Sequence, residues 1–214
     1  MNIKGVIFDS DGTLVDSERL AAGLLRDLLA QRDIHLEHEE VLRRFRGVQF
    51  AIFVGELCEQ HAHLEAEPFM RDFRSQSLEL FAQGLEAMPG ALEFVRELSL
   101  PKCVASNGPL AKIETCLKSA GLWDVFEGRV VSAYEVNAWK PSPELILEAA
   151  RVLGVPPANC LLVEDSIPGA QAGLAAGTQV AGYGDTDFSV FQGNPNFHRV
   201  ADYAALKVLI QSPG

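Results

Sequence analysis

The chain has 214 residues, 29 acidic against 18 basic, for a formal net charge of −11, and 48% of it is hydrophobic. That balance excludes nucleic acid and anionic membrane as standing partners, because both need a basic surface to displace counterions. A small anionic ligand stays possible, since a local cation can invert the field at one site.

In chain order, residues 4–8 are the first predicted strand, an apolar run that stops at Asp9-Ser10-Asp11 and is followed by Gly12-Thr13. From 17 to 83 the patterns are helical throughout: Leu20, Leu24, Leu25, Leu28 and Leu29 recur at helical spacing, and 52–61 and 69–81 behave alike. After the Pro89-Gly90 turn an alternation begins. It runs helix 91–98, strand 102–105, helix 111–120, strand 129–132, helix 143–153, strand 160–163, helix 167–176 and strand 179–181. Gly121, Gly154 and Gly177 follow helix ends, where a left-handed residue is favoured. Strands apolar on both faces and alternating with helices predict an open parallel α/β sheet covered on two sides. Residues 1–15 and 86–214 are assigned to this core and 16–85 to an inserted all-helical domain, with hinges near Val15 and Leu85.

Cys58, Cys103, Cys116 and Cys160 show no CxxC spacing, and two of them lie in or beside apolar runs, so buried free thiols are expected. No apolar run approaches a membrane span, and the first strand pattern begins at residue 4 without a signal peptide, so a cytoplasmic location is expected.

Ligands of open α/β sheets bind beyond the carboxyl ends of the strands. Three predicted strands end in residues suited to chemistry: Asp9-Ser10-Asp11, Ser106-Asn107 and Glu164-Asp165-Ser166. Lys140 follows in "AWKPSPE", just before a helix start marked by Pro141, Ser142 and Pro143. Gathered in one crevice, Asp9, Asp11, Glu164 and Asp165 repel: two unit charges about 4 Å apart do so by roughly 4 kcal/mol at an effective dielectric of about 20. Such a cluster must hold protons or recruit cations, and carboxylate oxygens suit a hard divalent ion such as Mg²⁺.

The stretches "DSDGTLVDS", "VASNG", "WKPSPELI" and "VEDSIPGAQAGLAAG" resemble, in order and spacing, the four motifs of the haloacid dehalogenase superfamily, in its phosphatase and phosphomutase branch. The helical insertion after the first motif is similar to that of the subgroup holding β-phosphoglucomutase and small sugar-phosphate phosphatases. The fragments "RFRGVQ", "CVASNGP" and "AWKPSPEL" also resemble a bacterial phosphatase of this kind.

The resemblance implies a Rossmann-like core with a helical cap, and a role for each residue. Asp9 is the nucleophile that forms an aspartyl phosphate, and Asp11 the acid and base that serves the leaving group and then the water. Glu164 and Asp165 hold Mg²⁺ together with an Asp9 oxygen and the Asp11 backbone carbonyl. Ser106, Asn107 and Lys140 bind phosphate oxygens. Each has a plainer alternative: a strand-end Asp pair capping a turn, acids favouring a helix N-terminus, an N-capping serine, a solvated lysine. In "RRFRGVQ", Arg46 is the candidate for a second anionic group on the substrate, because Gly47 would let the loop approach closely; a solvated basic face is the alternative. His61 and His63 read as surface residues and Trp139 as packing.

The expected activity is a Mg²⁺-dependent, monomeric phosphatase of a small phosphate ester, a sugar phosphate. Against a phosphomutase stand Ala21, where such mutases carry histidine, and Thr13, where they carry valine. Asp11 speaks against dehalogenation, and the filled catalytic positions against an inactive regulator or binding module.

Overall fold

The computed structural model describes residues 1–46 and 48–211. Its strands are β1 (Gly5–Phe8), β2 (Lys102–Ser106), β3 (Val130–Ser132), β4 (Cys160–Glu164), β5 (Gln179–Tyr183) and β6 (Phe197–Val200). Among the described residues they form one sheet in the order β3-β2-β1-β4-β5-β6. Every neighbouring pair is parallel. Successive strands step outward on one side of β1 and then resume on the other, so the order reverses at β1.

The burial follows the two-residue period of a strand. Val6, Phe8, Val104, Leu161 and Val163 enter one hydrophobic cluster, and Ile7, Cys103, Ala105, Cys160 and Leu162 the other. The second face is covered by α9 (Glu144–Leu153) and α10 (Ile167–Ala175), through Ile146, Ala149 and Ala170. The first is covered by α5 (Ala91–Glu97), α6 (Leu110–Ser119) and α11 (Tyr203–Gln211), through Phe94, Ile113 and Leu206. Short helices α7 (Trp123–Phe126) and α8 (Ala133–Val136) flank β3. Gly121, Gly154 and Gly177 all adopt positive φ at helix ends.

Between β1 and α5 the chain forms α1 (Ser17–Ala30), α2 (His38–Phe45), α3 (Phe50–Gln60) and α4 (Ala66–Ala82). The first cluster continues into them through Leu25, Phe53, Phe69 and Phe81. Outgoing and returning chain run side by side: Val15 bridges Ala87 antiparallel. Asp16 N donates to Glu86 O at 3.1 Å, and Met88 N to Leu14 O at 2.9 Å.

The sequence reading named neither the short helices α7 and α8 nor β6 and α11, which follow β5. β6 is an edge strand in which His198 and Arg199 interrupt the apolar run, so it lacked the signature of a buried strand. α11 buries Tyr203 and Leu206, three apart, a spacing that could have revealed it. Cys103, Cys116 and Cys160 are buried thiols and Cys58 a half-buried one. No helix among the described residues is long and apolar enough to cross a membrane.

Candidate active site

Where strand order reverses, the carboxyl ends of neighbouring strands splay apart and leave a crevice. Here that crevice opens at the end of β1, between β2 and β4, and a cavity of about 350 Å³ extends from it to the inserted helices. Asp9, Asp11, Ser106, Lys140, Glu164 and Asp165 line it on the sheet side, and Phe45, Phe50, Phe73 and Arg74 on the helical side.

Asp9, Glu164 and Asp165 each bring a carboxylate oxygen to within 4.8 Å of the others, and all three residues are buried. Two glycines make the approach possible. A Cβ on Gly12 would stand 2.2 Å from Asp165 Oδ2, and one on Gly169 would stand 1.9 Å from Glu164 Cδ. Ser166 caps α10 by accepting from Gly169 N, and it donates through Oγ to Glu164 Oε1 at 2.6 Å. The buried Lys140 ammonium lies 2.5 Å from Asp9 Oδ1 and 2.7 Å from Glu164 Oε2.

One ammonium does not balance three buried carboxylates. Burial, then the Glu164 charge, pushes the Asp9 carboxyl up to about 8 against the pull of Lys140. Burial and the Glu164 and Glu18 charges hold Asp165 well above the usual carboxylate range. Burial disfavours the charged form of Lys140, but Asp9 and Glu164 outweigh it and raise its pKa. A site of hard oxygen donors with one ammonium against three carboxylates fits a metal cation, as the sequence led us to expect.

Asp11 faces a different set of partners. Ser17 Oγ donates to its Oδ1, and Lys112 Nζ lies 2.8 Å from its Oδ2. Burial favours the neutral acid, but the Lys112 charge and these hydrogen bonds win and hold the carboxyl below its ordinary value. The Asp11 carboxylate therefore stands apart from the three-carboxylate cluster; only its backbone carbonyl was expected to serve a metal.

Ser106, at the end of β2, is buried, and its Oγ accepts from Gly108 N at 3.1 Å. The Asn107 side chain accepts from Lys140 N at 2.9 Å and so ties the two loops together. Arg46 reaches toward the site without lining the cavity: its Nε donates to Glu18 Oε2 at 2.7 Å, and Glu18 is itself buried at the cavity wall. Gly47, on which the choice of Arg46 rested, lies outside the described residues. Trp139 packs in the second cluster, edge-on to Tyr134, and also touches the cavity. His63 bonds the Arg32 carbonyl at 2.9 Å, and neither it nor His61 joins a metal-binding cluster among the described residues. Lys112, Ser17, Glu18 and Arg74 line the cavity unannounced by the sequence reading.

A family model described as haloacid dehalogenase-like hydrolase matches residues 3–177. The chain belongs to that family. Among haloacid dehalogenase-like relatives, the 6-phosphogluconate phosphatase of Escherichia coli is 36% identical over 179 residues, covering 83% of this chain and 81% of its own. Hexitol phosphatase A of the same organism is 33% identical over 189 residues, covering 84% and 82%. A hydrolase of the family from Deinococcus radiodurans, solved with bound phosphate and sodium, superposes with a TM-score of 0.80 at 28% identity, over 98% of this chain and 95% of that one.

Proposed function

We propose that the chain is a Mg²⁺-dependent phosphatase that hydrolyses a small sugar phosphate through an aspartyl phosphate on Asp9, with residues 16–85 acting as a cap over the crevice. The observation that carries this reading is the meeting of Asp9, Glu164, Asp165 and Lys140 at the end of β1, beside the separately held Asp11. The relatives named for phosphatase activity on 6-phosphogluconate and hexitol phosphates support the ester class.

Asp9, Glu164 and Asp165, with the Asp11 carbonyl, would hold Mg²⁺. When bound, the ion supplies positive charge that neutralises the phosphoryl oxygens. Lys140 reinforces it, and Ser106 Oγ and the Asn107 backbone donate to the same oxygens. An Asp9 oxygen attacks phosphorus in line; the bond to the ester oxygen breaks, and that oxygen takes a proton from Asp11. Asp11, left ionised, then removes a proton from water as its oxygen attacks the aspartyl phosphate, which releases inorganic phosphate and restores Asp9. The pairing of Asp11 with Lys112 and Ser17 matches the base of this second step, whereas the acid of the first step requires Asp11 to take up a proton and that pairing to give way.

Ala21 lines the cavity where a mutase would present histidine, which favours water over a sugar hydroxyl as acceptor. The test is release of phosphate from p-nitrophenyl phosphate, expected with Mg²⁺ and abolished by a chelator. Turnover undiminished by the chelator would remove the cation. Conversion of β-glucose 1-phosphate to the 6-phosphate would replace the phosphatase with a mutase.

A further inference from the structure

The helical wall of the cavity carries a cation that the chemistry proposed above does not use. On α4, Arg74, Ser77, Leu78 and Phe81 recur at helical spacing, and the first three line the cavity. Arg74 has no side-chain hydrogen bond or ion pair among the described residues. Among the described residues no other arginine lines the cavity, and three others of the insertion are also committed elsewhere. Arg32 pairs with Asp72 at 2.5 Å, Arg44 with Gln60 at 3.1 Å, and Arg46 with Glu18 at 2.7 Å. The two lysines of the cavity are committed as well, Lys140 to Asp9 and Glu164, Lys112 to Asp11.

Position sets what Arg74 can meet. Phe81 carries Lys112 Nζ 5.8 Å from its ring centre, so that end of α4 lies beside Asp11. Seven residues back along the helix, Arg74 stands about 10 Å from Phe81 along the axis. A six-carbon chain held extended spans roughly 6 Å at the backbone's rise of about 3.6 Å per three bonds, and the ester linkage adds to that. Asp9 and Arg74 line the same cavity, so an ester of that length with its phosphoryl group at Asp9 extends along the cavity toward the wall that carries Arg74. Beside it, Phe50 and Phe73 pack with ring centres 4.6 Å apart, an apolar flank that weakens competition from water. A guanidinium there matches a carboxylate with two parallel hydrogen bonds.

We infer that Arg74 is the specificity-determining residue of this cavity and that it holds a carboxylate at the far end of the substrate, so that the substrate class is a phosphorylated sugar acid. The assignment rests on the phosphatase reading above. It moves to Arg74 the anion-binding role that the sequence suggested for Arg46, whose charge Glu18 already answers.

The test compares 6-phosphogluconate with glucitol 6-phosphate, the same carbon chain with a hydroxymethyl group in place of the carboxylate, in the full chain with Mg²⁺. Wild type should prefer the acid in kcat/KM by about 10- to 100-fold, the range of a charged hydrogen-bonded contact. Arg74→Ala should erase that preference through KM and leave glucitol 6-phosphate within about 3-fold, and Arg74→Lys should keep part of it. Arg74 is exposed, so unchanged melting of both variants is the expected folding control. Equal losses on both esters in Arg74→Ala, or no loss on either, would overturn the assignment. A bisphosphate preferred over the sugar acid would overturn the carboxylate. Failure of wild type on every ester, p-nitrophenyl phosphate included, would instead remove the phosphatase reading beneath it.

Discussion

Asp9, Ser106 and Glu164 reach the cavity from the ends of three hydrogen-bonded strands, whereas Phe50, Phe73 and Arg74 reach it from helices inserted between the first strand and the rest of the core. On the sheet side each polar group is fixed by another: Lys140 by Asp9 and Glu164, Asn107 by the Lys140 amide, Glu164 by Ser166. On the helical side Arg74 is unanswered, and Phe45, Phe50 and Phe73 line the wall with it. A wall whose groups hold one another suits a reaction in which charges must meet in one geometry. A wall of adaptable apolar surface with one uncommitted cation suits the choice of what enters. The contrast predicts that substitutions on the sheet side abolish turnover of every ester, and that those on the helical side change which ester is preferred.

The largest effect is expected at Asp9. Asp9→Asn keeps the shape and removes the nucleophile, and initial rates on any phosphate ester should fall on the order of 10⁴-fold. Activity within a few-fold of wild type would break the contrast at its centre. Next comes Lys140→Ala, which removes the one ammonium shared by Asp9 and Glu164; kcat should fall by about 10²- to 10³-fold on sugar phosphate and aryl phosphate alike. A loss confined to one ester would place Lys140 among the selecting residues instead.

The acid cluster also sets a pH dependence. The unfolded chain releases the Asp9 proton near the ordinary carboxylate value, but the folded chain without a cation does so only near 8. Between those limits the folded state binds more protons, so the stability of the cation-free protein falls as pH rises. A cation bound to ionised Asp9 displaces that proton. The rise in Tm on adding Mg²⁺ should therefore be small near pH 5 and largest near pH 8; an equal rise at both would detach the cation from Asp9. The smallest effect is expected in the insertion, where Arg46→Ala should lower stability by about 1 kcal/mol, since the arginine of its pair with Glu18 is half-exposed. Chemical denaturation measures it, and a loss of turnover comparable to that of Lys140→Ala would move Arg46 into the reacting machinery.

The same contrast explains what could be read from the sequence. Asp9, Glu164 and Lys140 were legible because each sits at a strand end or beside a helix start, where local pattern already tells which way the chain runs. The sheet then brings them together whatever the details of packing. Lys112 was not legible: its partner Asp11 lies 101 positions away, and the pair exists only because α6 is packed between α4 and the sheet at β3. Glu18 and Arg74 were hidden for a related reason. Helical periodicity shows that α1 and α4 each have a face, but not which face meets the sheet. Arg46 was singled out in its basic run because a loop glycine suggested close approach, and the Glu18 carboxylate that absorbs its charge could not be placed from spacing. The edge strand β6 escaped because polar residues are tolerated at a sheet edge.

The central claim is that phosphate passes through Asp9. Rapid acid quench during turnover of a phosphate ester, followed by peptide mass analysis, tests it directly. The account predicts one phosphoryl group on the peptide that contains Asp9, absent in Asp9→Asn; phosphate carried by another residue, or steady turnover with no phosphorylated protein and an active Asp9→Asn, would contradict it.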